Sequence, residues 1–199
     1  MTRRLVLASG SAHRARLLRE AGLVFDVRPS TLDERAMEAP LAGSGSTPTD
    51  IAEILAEAKA CDVSEHEPDA LVIGADQTLS LDGERLSKAP DMEAARRTLL
   101  ALSGRTHELV SAVVLAERGV PVWRYSQSAR ITFRQLTPPE IGRYLAKAGD
   151  IALTSVGAYA VEGLGIRLID RIEGDFFTIV GLPMLPLLAE LRTRGALDD

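Results

Sequence analysis

The sequence predicts a mixed α/β fold, a twisted sheet of parallel and antiparallel strands with helices flanking it. Three observations lead there. The apolar run "LVLA" breaks into Ser9-Gly10-Ser11 and then into a helical pattern. The run "ALVIGAD" is continuously apolar, as expected of a strand buried on both faces. The long segments "HELVSAVVLAE" and "VWRYSQSARITFRQL" face each other across a turn near Gly119-Val120-Pro121. Strands and helices intermix without strict alternation, which favours a mixed sheet over a purely parallel one.

Taken in order, residues 5–8 read as a short buried strand and residues 12–21 as a helix with Leu17, Leu18 and Ala21 on its apolar side. Gly22 ends that helix at the position where glycine is favoured. Residues 25–28 read as a second strand, and residues 29–48 as a loop rich in Pro, Gly and Ser. Thr47-Pro48-Thr49-Asp50 then opens a helix, with a capping hydroxyl, Pro at the first position and an acid at the third. Ile51, Ile54, Leu55 and Ala58 are expected on its apolar face, with Lys59 one residue round. The "ALVIGAD" strand is expected to stop at Asp76. Asp82-Gly83 is a hairpin signal, and Asp91 is placed to cap a helix that runs to Leu102 and closes at Gly104. Pro138-Pro139-Glu140 starts another helix that stops near Gly149. Strands around Arg167 and Phe177 and a helix after Pro183 complete the chain.

The 199 residues, 46% hydrophobic and 26% charged, suit a soluble globular protein. Only 4% are aromatic, so the core is aliphatic. The net charge of -5 argues against a nucleic-acid partner or a basic membrane-binding face. A single cysteine, Cys61, excludes an internal disulfide and fits a reducing compartment. The start "MTRRLVLASG" is too short in its apolar part for a signal peptide, and no run approaches a membrane span. A cytoplasmic protein is expected.

Strand, Ser9-Gly10-Ser11, helix is the layout of a phosphate cradle, with free backbone N–H groups, two hydroxyls and nearby cations. His13, Arg14 and Arg16 stand at the positive end of a helix dipole, where cations are disfavoured unless an anion is bound there. The GxxxxGK[ST] spacing of a P-loop is absent. An equally good local reading has Ser11 only capping the helix and the arginines solvated. Asp76, ending an apolar strand, sits where α/β folds place catalytic groups, although a turn-forming Asp is the commoner case. Lys59, Lys88 and Glu34 are further charged candidates, each on its own more typical of a surface.

Together "LASGSAHRARLLREAGLVFDV", the following "DE", "AEAKA", "VIGADQTLSLDGERLSKAPD", "LSGRTHELVSAV" and "GDFFTIVGLP" resemble the Maf family of nucleoside triphosphate pyrophosphatases. That family is named for an association with septum formation. The resemblance runs in register from about Leu5 to Leu191. It implies one domain over residues 1–199, with an inosine-triphosphatase-like fold of two lobes around a cleft. It also implies a homodimer, and hydrolysis of a nucleoside triphosphate to monophosphate and pyrophosphate with a divalent metal, Mg²⁺ or Mn²⁺. Ser9 and Arg14 match the family's phosphate loop, Glu34 its loop acid, and Lys59 its helix lysine. Asp76 matches the catalytic acid and Lys88 the lysine after the hairpin. The types suit the chemistry: cations and helix N–H groups neutralise a triphosphate, Glu34 and Asp76 suit Mg²⁺, and Asp76 suits activation of a water for attack on the α-phosphorus. Ala12 stands where Pro is usual, Ala15 where a second Arg often sits, and Ser87 where Gly is common.

The family has a pyrimidine branch, resembling Arg, Thr and Gln at three positions, and a 7-methyl-GTP branch, resembling Trp, Gln and Glu. This chain has His13, Gln77 and Glu162 there, closer to the second set. A carboxylate at Glu162 suits guanine, which presents adjacent N1–H and N2–H donors. On the other side, "GDFFTIVGLP" is nearer the general family form, and Glu162 inside "VEGLG" also reads as a polar loop residue. Turnover of dTTP or UTP, a non-catalytic nucleotide-binding regulator of division, and a sugar-nucleotide transferase are the alternatives. The presence of both Asp76 and Lys88 favours an enzyme over the regulator.

Overall fold

The computed structural model describes residues 3–41 and 43–197. It divides into two compact units, one formed by Met1–Gln77, Ser111–Gln127 and Gly181–Asp199, the other by Thr78–Val110 and Ser128–Val180.

The first unit starts with strand β1 (Leu5–Leu7), helix α1 (Ala12–Glu20) and strand β2 (Asp26–Val27). Ser11 caps α1 by accepting from the Arg14 N–H, and Gly22 follows the helix at φ +79°. The segment read as loop contains a one-turn helix α2 (Glu34–Glu38), capped by Asp33, and a 3₁₀ turn (Ala39–Leu41). Neither buries a side chain, so no apolar periodicity could announce them.

Helix α3 (Pro48–His66) begins at the expected capping box, in which Thr47 and Asp50 bond reciprocally. Its buried face is Ile51, Ala52, Leu55, Ala56, Lys59, Ala60 and Val63, whereas Ile54 is 41% exposed. The expected face was therefore off by part of a turn, and the reason lies in strand β3 (Leu71–Leu81). A Cβ built on Gly74 would stand 2.3 Å from the Ala56 carbonyl oxygen and 2.6 Å from the Ala60 Cβ. The strand is in near backbone contact with α3, and only the alanine side of the helix fits there. Isoleucine is displaced to the rim.

β1 pairs in parallel with β2 and with β3, with Val6 opposite Asp26 and Val72. Val6, Ala8, Val63, Ala70 and Val72 pack as one apolar cluster. β5 (Thr106–Glu117) and β6 (Val120–Phe133) extend the sheet in the order β2-β1-β3-β5-β6. Their turn is Arg118-Gly119, both at positive φ, one residue earlier than expected. Helix α8 (Met184–Thr193) ends the unit.

In the second unit β3 pairs antiparallel with β4 (Glu84–Leu86) across Asp82-Gly83, both at positive φ as the hairpin signal requires. Helix α4 (Met92–Leu102) follows its expected cap at Asp91 and α5 (Pro138–Ala148) starts at Pro138 as expected, with Thr137 and Glu140 forming a capping box, while the short α6 (Ile151–Thr154) was not expected. Arg167 lies in a 3₁₀ turn, and the strand there, β7 (Ile169–Glu173), starts two residues later and pairs antiparallel with β6. Phe177 is in helix α7 (Phe176–Val180), not a strand. Asp175 accepts from both the N–H and hydroxyl of Thr178, and that local bond favours the helical turn over an extended run. Among the described residues no helix is long and apolar enough to cross a membrane.

Candidate active site

The expectations for Ser9, Arg14, Glu34, Lys59 and Asp76 meet in the first unit. Asp76 does not end its strand, which runs five residues further to Leu81. Asp76 shares the face of Gly74 by strand alternation, and that close approach lays α3 over the carboxylate. One turn along the same helix face, Lys59 donates from Nζ to Asp76 Oδ1 at 2.7 Å and reaches Glu34 Oε1 at 2.9 Å. Asp76 is only 8% exposed and Lys59 7%, while the Glu34 side chain is 54% exposed.

Arg14 enters from α1 and is equally buried. Its Nε donates to the Gly181 carbonyl at 2.9 Å, and its Nη1 to the Ala75 carbonyl at 2.8 Å and Ser9 Oγ at 3.2 Å. The guanidinium is thus a staple between the Ser9 loop, the strand beside Asp76 and the segment before α8, with Nη2 on its remaining edge. Ser9 Oγ also accepts from the Ser11 N–H at 3.2 Å, which fixes the loop at the start of α1. His13, half-buried, lies in the first turn of that helix.

Burial pushes the Asp76 carboxyl above its ordinary range, against the opposing pull of Lys59 and then Arg14. Burial pulls the Arg14 guanidinium down, while Asp76 and Glu34 hold it charged. A dry carboxylate held between two cations, with a raised proton affinity, has the character of a general base.

Gln77 follows Asp76 and points to the opposite side of the strand. Its Nε2 donates to Ser111 Oγ at 3.1 Å. Lys88 and Glu162 belong to the second unit. Lys88 is exposed in the stretch after β4, and Glu162 is half-buried in the turn before the 3₁₀ segment Leu164–Leu168.

Three contributors were not singled out from sequence. Gly74 sets the helix–strand distance, and Gly181, at φ +110°, supplies the carbonyl that holds Arg14. Ser111 orients the Gln77 amide. Gly74 and Gly181 lie inside the motifs "VIGADQ" and "GDFFTIVGLP", so an unexplained glycine in each was the available signal.

For a divalent cation the donor set fits. Glu34 and Asp76 present hard carboxylate oxygens to one ammonium between them. Among the described residues no group of three or more His, Cys, Asp or Glu could hold a metal alone. A Mg²⁺ carried by one or two carboxylates, with water and phosphate completing its shell, matches that ion's habit.

The sequence matches the family model described as Maf-like protein over residues 4–194. The chain belongs to the Maf family. This Maf chain is 60% identical over 198 residues to the 7-methyl-GTP pyrophosphatase of Brucella suis, and 59% identical over 198 residues to that of Mesorhizobium japonicum. Each alignment covers 100% of both chains. It is also 47% identical over 192 residues to the nucleoside triphosphate pyrophosphatase of Paramagnetospirillum magneticum, covering 96% of this chain and 99% of the other.

Proposed function

We propose that this Maf protein is a nucleoside triphosphate pyrophosphatase, that its substrate is 7-methyl-GTP, and that its products are 7-methyl-GMP and pyrophosphate. The observation that carries the reaction is the buried Asp76 carboxylate between Lys59 and Arg14, next to the Ser9-Gly10-Ser11 turn. Full-length relatives at about 60% identity that carry this name support the substrate.

Asp76 takes a proton from a water, whose oxygen then attacks the α-phosphorus in line. The bond from the α-phosphorus to the bridging oxygen breaks, and pyrophosphate leaves with the electron pair. The first-turn N–H groups of α1, with Ser9, Ser11 and Arg14, bind phosphate oxygens, and Lys59 and Lys88 add positive charge. Glu34 and Asp76 would hold a Mg²⁺ or Mn²⁺, which supplies charge neutralisation on the phosphates when bound. Glu162 accepts from the guanine N1–H and N2–H, Gln77 bonds to the base, and His13 lends a stacking face. The working form is a homodimer in which residues 1–199 act as one catalytic domain.

Pyrophosphate release measured across 7-methyl-GTP, GTP, UTP and dTTP tests this reading. The highest specificity constant is expected for 7-methyl-GTP, with loss of at least ~100-fold in Asp76→Asn. A preference for UTP or dTTP would move the assignment to pyrimidines, and an unimpaired Asp76→Asn would remove Asp76 from the chemistry. Light scattering checks the dimer.

A further inference from the structure

We infer that Asp62 is a positioning residue that sets where Glu34 stands. This rests on the reading of Glu34 as an active-site acid.

The segment that carries Glu34 has no apolar anchor. Among the described residues between Val24 and Asp50 not one is buried, and neither α2 nor the 3₁₀ turn after it puts a side chain into a core. Without buried apolar area, a segment is placed by its polar contacts or not placed at all. Those contacts converge on α3. Asp62 Oδ2 accepts from Ser30 Oγ at 2.7 Å and from the Thr31 N–H at 3.3 Å. Ser30 Oγ in turn accepts from the Leu32 N–H at 3.2 Å, closing a tight turn on the carboxylate. Asp33 then caps α2 through the Arg35 and Ala36 N–H groups, and Glu34 is the first residue of that helix.

Asp62 lies three residues after Lys59, so both side chains leave α3 on neighbouring positions of one face. The helix therefore holds the segment twice, by Asp62 at its root and by Lys59 at Glu34. The second hold is weak alone, since Glu34 is more than half exposed and an ion pair open to water contributes little. The first consists of charge-assisted bonds to a half-buried carboxylate, which are the stronger kind. Asp62 touches no proposed substrate or metal ligand. Its action runs through the three residues that connect Ser30 to Glu34.

The test uses Asp62→Ala, Asp62→Asn and Ser30→Ala in the full chain. One readout is amide hydrogen exchange without nucleotide or metal. The other is the Mg²⁺ concentration for half-maximal pyrophosphate release. Asp62→Ala is expected to speed exchange at Thr31 and Leu32 by roughly 10-fold or more. It should also raise the Mg²⁺ requirement by about 10-fold, as loss of an outer support of a ligand does, while the rate at saturating Mg²⁺ stays within about 3-fold. Ser30→Ala should move both readouts the same way, and Asp62→Asn, which keeps an acceptor oxygen, should restore most of each. Combined with Glu34→Gln, Asp62→Ala should add nothing further to the Mg²⁺ requirement, while exchange at Thr31 and Leu32 still speeds up. Unchanged exchange, or an Asp62→Ala effect of full size on the Mg²⁺ requirement in the Glu34→Gln background, overturns the inference while Glu34 keeps its role. A wild-type Mg²⁺ response in Glu34→Gln alone overturns the reading of Glu34, and the inference with it.

Discussion

Lys59 delivers its ammonium to Asp76 at 2.7 Å from a helix that can lie so close only because residue 74 of the facing strand has no side chain. The surroundings of Asp76 and the packing of α3 on β3 are therefore coupled. Lys59 also bears on the proton affinity of Asp76, the proposed base. Burial raises the Asp76 carboxyl, and Lys59 is the largest influence bringing it back down.

Replacing Lys59 by Met keeps most of the side-chain volume and removes the charge. Asp76 then loses its strongest stabiliser as an anion and stays buried, so its proton affinity rises further. A base must be ionised to act, so the rising limb of kcat/KM against pH should move to higher pH, by about 1 unit or more. The measurement is that profile in Lys59→Met beside the wild type. A limb that stays in place while the rate falls would assign Lys59 to phosphate binding alone and detach it from the base.

Gly74→Ala tests the packing half. The new methyl would meet a backbone carbonyl at 2.3 Å, and backbone cannot swing aside as a flexible side chain can. Helix or strand must shift, which costs about 1–3 kcal/mol by the usual measure of overpacking. The shift falls one turn from Lys59. A lower denaturation midpoint together with a fall in turnover is expected. Lost stability with full turnover would show that the Lys59–Asp76 geometry tolerates the displacement.

Elements with a local chemical signal were legible in the sequence. Thr47-Pro48-Asp50, Asp82-Gly83 and Asp91 act through bonds and dihedrals within a few residues, and the structure has them where expected. What escaped depended on partners distant in the chain. Ile54 looked like core by periodicity, but the facing strand brings Gly74 against Ala56 and Ala60 and leaves Ile54 outside. Asp76 looked like a strand end because a buried charge in mid-strand makes sense only once Lys59 and Arg14 are seen to surround it. α2 was missed because it buries nothing. The family resemblance named Arg14, Glu34, Lys59 and Asp76, which lie together in the first unit, but the support around them by Gly181, Ala75 and Ser111 is a tertiary fact.

A separate pH response comes from the second unit. His107 is buried against Phe133 and Tyr159, its Nε2 2.8 Å from the Tyr159 hydroxyl, and Nδ1 has no partner among the described residues. Burial lowers its pKa to about 4. The folded form holds the neutral ring, whereas the unfolded chain takes up a proton near pH 6.5, so stability is full above that value and is lost as pH falls toward about 4. The contribution is on the order of 3 kcal/mol across the window. Urea midpoints at pH 7 and near pH 4.5 should show this loss in the wild type and a markedly smaller one in His107→Phe. An equal loss in both would place the acid sensitivity elsewhere.

Glu162→Gln addresses the base. A carboxylate can accept both the N1–H and N2–H of guanine, and 7-methylation adds positive charge that favours an anion opposite it. Glutamine offers one acceptor and turns an N–H₂ group toward a donor edge, a mismatch of about 1–3 kcal/mol where the contact is buried. The specificity constant for 7-methyl-GTP should therefore fall roughly 10- to 100-fold. That for UTP should hold or rise, because an amide can donate to a pyrimidine carbonyl as well as accept from its N–H. The ratio of the two constants is the quantity to compare, since a general loss of folding or of phosphate binding lowers both and leaves the ratio unchanged. A ratio that does not move would take Glu162 out of base recognition. The methylated-purine assignment would then stand on sequence similarity to full-length relatives alone.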